Sequence, residues 1–119
     1  MNIKKHTITE IDIAEIIADE VLIRSAEDGT DLLGNIYYND FGKVILHEHQ
    51  FTPDFFNLKN GLTGEVLQKF STYRVKLAIV GNFSKYDRQS MKDFINESNK
   101  IGHVNFVSSV TDAIERLTK

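Results

Sequence analysis

The stretch Leu77-Ala78-Ile79-Val80-Gly81 decides the fold. Four apolar residues run without alternation and stop at a glycine, the pattern of a short strand covered on both faces. Upstream, Lys43–His47 carries a run of the same kind in Val44, Ile45 and Leu46, and downstream Val104–Val107 supplies a third. Between these runs the apolar residues recur at helical spacing. Leu62, Val66, Leu67, Phe70 and Tyr73 precede the quoted strand; Met91, Phe94 and Ile95 follow it in a helix predicted over residues 87–99, with Gly102 at its C-cap. Ser84 or Asp87 is the expected N-cap of that helix. Strand and helix in strict alternation predict mainly parallel strands joined by right-handed crossovers.

Toward the N-terminus, residues 3–7 and 11–17 are β-branched runs separated by Ile8, Thr9 and Glu10, which predicts an opening hairpin. Ser25 and Asp28 form a capping-box pattern ahead of a helix marked by Leu32, Leu33, Ile36 and Tyr37 and stopped by Gly42. Ser109 and Asp112 repeat that pattern before a last helix with the stripe Val110, Ala113, Ile114 and Leu117. Thr52-Pro53 opens a turn, and Asn60-Gly61 closes one or caps the helix that follows. Gly64 inside that helix costs about 1 kcal/mol relative to alanine and predicts a packing reason. The expected fold class is thus one α/β domain over residues 1–119: an N-terminal β-hairpin, then alternating helix and strand around a mixed, mainly parallel sheet.

Composition narrows the function. A chain of 119 residues with 41% hydrophobic and 26% charged residues and one proline suits one folded core. A net charge of -3 offers no clustered positive field for phosphate backbones, so no nucleic-acid partner is expected. The absence of cysteine removes thiolate catalysis, disulfides and cysteine metal sites. Neither an apolar leader nor a membrane-length run is present, so a cytoplasmic location and no membrane partner are expected.

Several longer words carry a resemblance. His47-Glu48, Thr52-Pro53-Asp54-Phe55-Phe56, the run from Gly64 to Ser71, Leu77 to Gly81 with Phe83-Ser84-Lys85-Tyr86, and Asp93-Phe94-Ile95 through Lys100 resemble the bacterial family known as domain of unknown function 4180. That resemblance implies a small soluble bacterial protein and brings no activity. The element order also resembles the STAS domain and the wider SpoIIAA-like fold. STAS domains of the anti-sigma-factor-antagonist type bind a partner kinase and are switched by a phosphorylated serine at the start of the helix after the third strand. Asn60 and Gly61 stand in that region here, which leaves Thr63 as the nearby hydroxyl and candidate phosphoacceptor.

Three groups of residues can carry chemistry. His47, Glu48 and His49 lie where the third strand runs out, and residues two apart on a strand point the same way. Two imidazoles so placed suit one metal or substrate, and a metal would need a third ligand such as Asp54, but the spacing lacks the helical pattern of zinc hydrolases, and neither metal nor cofactor is expected. Ser84, Lys85 and Tyr86 follow the quoted strand, and the loops after the third and fourth strands are expected to adjoin. Phe51, Phe55 and Phe56 are expected to pack against the sheet. No nucleophile elbow, P-loop or dinucleotide fingerprint is present.

The leading expectation is a non-enzymatic regulatory or binding module that takes a protein partner or a small anionic ligand through His47, His49, Asp54, Ser84, Lys85 and Tyr86. The alternative is a small hydrolase or lyase-like enzyme with a histidine general base and Lys85 stabilising negative charge. Assembly as a homodimer is a third expectation.

Overall fold

A computed structural model describes residues 1–119. The chain runs β1 (Asn2–Ile8), β2 (Ile11–Ile17), α1 (Ala26–Tyr38), β3 (Lys43–His47), α2 (Leu62–Thr72), β4 (Lys76–Val80), α3 (Gln89–Ile101), β5 (Val104–Val107) and α4 (Val110–Leu117). Short 3-10 turns at Glu48–Gln50, Pro53–Phe56 and Leu58–Asn60 fill the stretch before α2, and another at Phe83–Lys85 follows β4.

The sheet order is β1-β2-β3-β4-β5, with β1 and β2 antiparallel and every later neighbour parallel. The predicted hairpin closes through Thr9 and Glu10, both at positive φ (49° and 68°), the two-residue geometry that matches strand twist. Each later crossover steps one strand in the same direction, so α1, α2 and α3 fall on one face. There Leu33, Ile36, Val66, Phe70 and Met91 pack on Ala14, Ile16, Val44, Leu46, Leu77 and Ile79. The short α4 covers part of the other face, where Ala113 and Leu117 meet Ile13, Ile45 and Ala78. Both faces of β3 and β4 are therefore apolar, which is why their sequences do not alternate.

Half of each predicted capping box forms: the Ser25 and Ser109 hydroxyls accept the N–H of the residue three places on, whereas Asp28 accepts the Arg24 N–H and Asp112 the Ser108 hydroxyl instead of the N-cap N–H. The start of α3 differs. It begins two residues later than predicted, and its N-cap is Arg88, with no side-chain cap bond from Ser84 or Asp87. Ser84 instead donates to Asn82 Oδ1 within its own turn. Gly64 shows no close packing: a β-carbon there would meet nothing within 4 Å. The phenylalanines behave as expected, since Phe51, Phe55 and Phe56 are all buried.

Side chains close the β5 edge. Asn99 Oδ1 accepts the N–H of Phe106 at 2.7 Å, its Nδ2 donates to the Phe106 carbonyl at 3.1 Å, and Ser98 donates to the Val104 carbonyl at 2.6 Å. No helix of the protein is long and apolar enough to cross a membrane.

Candidate functional site

The exits of β3 and β4 lie side by side, with His47 in register with Val80. The chain turns at once into the Glu48–Gln50 3-10 turn, which carries Glu48 toward the loop after β4. Its carboxylate gathers three donors: Oε1 accepts the Asn82 N–H at 3.0 Å, while Oε2 accepts the Tyr86 hydroxyl at 2.6 Å and the Lys85 ammonium at 2.8 Å. Burial opposes the charge on Glu48, but the bonds from Lys85, Tyr86 and Asn82 outweigh it and hold the carboxyl below the ordinary range. Burial first, and the Glu48 carboxylate second, push the Tyr86 phenol well above its ordinary range.

Aromatic rings build the wall beside this hub. Phe56 stacks on Tyr86 at 5.3 Å, and Lys85 lies 5.5 Å from the Tyr86 ring centre. Two small cavities flank the wall and share Phe56, Lys85 and Tyr86. One, of about 300 Å³, is also lined by His49, Phe51 and Pro53. The other, of about 330 Å³, is also lined by Lys59, Asp87 and Arg88.

A second polar cluster occupies the α4 side of the sheet. Glu15 on β2 receives His6 Nε2 on Oε1 and His47 Nε2 on Oε2, both at 2.8 Å. Burial raises the carboxyl's pKa, but the two imidazoles more than offset this and hold it below the ordinary range. Gln50, fully buried, ties the neighbouring strand ends: its side-chain amide Nε2 donates to the Ile16 and Ala18 carbonyls, and its Oε1 accepts the His47 N–H.

The residues expected from the sequence divide accordingly. His49, Lys85 and Tyr86 converge on the smaller cavity. The rings of His47 and His49 are 5.8 Å apart, yet His47 is committed to Glu15 and His49 to the Ala18 carbonyl at 2.8 Å. These bonds take Nε2 of each ring, and only His49 lines the cavity shared with Lys85 and Tyr86. Asp54 is exposed, lines neither cavity, and uses its backbone carbonyl rather than its carboxylate to accept from Asn60. Ser84 faces a different groove, on the far side of its loop. Thr63 is buried, its hydroxyl donating to the Phe55 carbonyl, so phosphoryl transfer there requires local opening.

Sequence reading did not single out Glu48 as the hub, nor Glu15, His6 and Gln50. The available signal for Glu48 was its place inside His47-Glu48-His49; its partners come from a loop more than thirty residues away. His6 and Glu15 become neighbours only through the hairpin register, which pairs His6 with Ile13 and Lys4 with Glu15.

The family described as Domain of unknown function (DUF4180) matches residues 8–117. The chain belongs to the DUF4180 family. In this DUF4180 domain the matched span runs from the last residue of β1 to the last residue of α4, so it contains Glu15, Glu48, Lys85 and Tyr86, with His6 just outside it. No curated protein and no solved structure matches the chain.

Proposed function

We propose that this domain is a non-enzymatic binding module that takes a small anionic ligand in the cavity lined by Lys59, Lys85, Tyr86 and Arg88, the Tyr86 cleft, through the loops following β3 and β4. The observation that carries the reading is the charge on one cavity: Lys59, Lys85 and Arg88 line it together with a single carboxylate, Asp87. Lys59 and Arg88 make no ion pair, so their charge is available to a ligand. Ser90 in the first turn of α3 lines the same cavity, and that helix start has no side-chain cap, which adds unpartnered N–H groups of favourable sign. The phosphorylation switch implied by a STAS resemblance is less well supported, because Thr63 is buried.

Titration calorimetry with inorganic phosphate and simple phosphate monoesters tests this. Binding is expected in the wild type, several-fold weaker in Lys85→Ala and in a Lys59→Ala/Arg88→Ala double variant, with the melting temperature moved by only a few degrees. No binding up to about 10 mM, or equal binding in all three proteins, overturns the proposal.

One observation favours the enzymatic alternative. His49 and Lys85 line the same cavity, and because His49 Nε2 must donate to the Ala18 carbonyl, its Nδ1 holds the lone pair in the neutral ring. A general-base role then belongs to His49 rather than His47. Ester or phosphoester turnover lost in His49→Gln, with fold intact, would select this reading.

A further inference from the structure

The chain leaves β4 for α3 on one face of the sheet and leaves β5 for α4 on the other. Connections that part in this way open a crevice at the carboxyl ends of adjacent strands, the usual position for ligands in open α/β sheets. An open groove of about 720 Å³ lies there. It lies across the β4–α3 loop from the Tyr86 cleft, and of the residues expected from the sequence only Ser84 lines it.

The groove's charges are held apart. Arg116 on α4 donates Nε–H to Asn105 Oδ1 at 2.9 Å and Nη2–H to the Asn99 carbonyl. Asn105 is itself buried and anchored by bonds to the Leu77 and Gly102 carbonyls. The guanidinium is thereby fixed with two of its five N–H donors spent, and it has no carboxylate partner. Asp112 stands one helical turn earlier on α4, the spacing at which an Asp–Arg pair ordinarily forms, yet no such pair is made. Its carboxylate accepts only the Ser108 hydroxyl, at 3.2 Å. Glu115 also lines the groove, with a 4.0 Å exposed contact to Lys119 as its ion pair.

A simple anion at Arg116 would meet two carboxylates, and a simple cation would meet the guanidinium. A molecule bearing both charges satisfies each side. Phe83 and Phe106, edge to face at 5.2 Å, add an apolar surface, and Asn82 and Ser84 add polar groups on the loop side. We propose that this groove is a second ligand site, for a small zwitterion of the free α-amino-acid class. Arg116 takes the ligand's carboxylate, Asp112 with Glu115 takes its ammonium, and the phenylalanines meet its side chain.

The test uses the intact chain and a panel of free α-amino acids, each beside its decarboxylated amine and its deaminated acid, read by calorimetry and amide chemical shifts. At least one amino acid is expected to bind with Kd below about 1 mM, and both single-charge counterparts about tenfold more weakly or worse. Asp112→Asn, which keeps the shape of the side chain, is expected to weaken the amino acid about tenfold while leaving its deaminated acid unaffected or bound more tightly. The Lys59→Ala/Arg88→Ala variant is expected to bind it as the wild type does, which separates this site from the Tyr86 cleft. Absence of amino-acid binding, single-charge counterparts that bind equally well, or binding unchanged in Asp112→Asn overturns the proposal.

Discussion

The side chain of Glu48 occupies the space that a β-carbon on Gly81 would need: an atom built there would lie 2.6 Å from Glu48 Cβ and 2.6 Å from Oε1. The glycine that ends the clearest strand in the sequence therefore has a second role, since it lets a carboxylate from the neighbouring strand exit approach the backbone and accept the Asn82 N–H. Gly81→Ala is expected to cost about 1–3 kcal/mol, the range for overpacking a filled site. A urea melt unchanged from wild type would show that the Glu48 turn gives way freely.

Tyr86 offers a spectroscopic reading of the same hub. Its phenol stays protonated beyond the ordinary tyrosine range because burial disfavours the phenolate and, second, ionisation would put a negative charge beside the Glu48 carboxylate. Alkaline titration of the phenolate absorbance is expected to show one late-ionising tyrosine, missing in Tyr86→Phe. By linkage, a phenol whose pKa is raised in the fold contributes stability at neutral pH that is lost as pH climbs through the folded value.

The acid side is governed by Glu15 and Glu48. Both have folded pKa values below the ordinary glutamate range, so their contribution is complete above that range and disappears as pH falls through the lowered values. Glu15→Gln is expected to flatten the acid limb of stability below about pH 4.5, at a cost near neutrality of roughly 1–3 kcal/mol for hydrogen bonds to a charged group. Melting temperature followed from pH 7 to pH 3 checks this; an identical acid limb in the variant would remove Glu15 from the account.

Gln50 makes a sharper prediction. Replacing it with leucine keeps an apolar core but strips partners from the Ile16 carbonyl and the His47 N–H at the ends of β2 and β3. A loss of about 2–4 kcal/mol in chemical denaturation is expected, more than one ordinary hydrogen bond is worth, because buried groups on both strands lose a bond together. A loss below about 1 kcal/mol would mean that water replaces the amide.

The fold was largely legible because its signals are local. Val44-Ile45-Leu46 and Leu77 to Val80 announce two-sided burial, and Ser25 and Ser109 announce helix starts whose bonds lie three residues away. The start of α3 falls two residues beyond the predicted one because Ser84 and Asp87 both resemble caps, yet neither side chain caps the helix, Ser84 being tied to Asn82 within its own turn. The candidate site was legible only in part. Lys85, Tyr86 and His49 followed from the rule that strand exits gather ligands, whereas Glu15–His6 depends on hairpin register and Glu48–Tyr86 on two loops meeting. Asp54 is the candidate third ligand beside His47 and His49 in the sequence; the 3-10 turn at Pro53–Phe56 buries the phenylalanines and leaves its carboxylate exposed.

The side-chain closure of β5 gives the molecule a polarity in how it can polymerise. Asn99 and Ser98 occupy the hydrogen-bonding positions that an incoming strand would use, so only the β1 border remains open to a neighbour. A second copy joined there, β1 against β1, would present its own blocked β5 at the far end. Strand addition between copies thus terminates at two, and a filament built by this route has no place to add its third member.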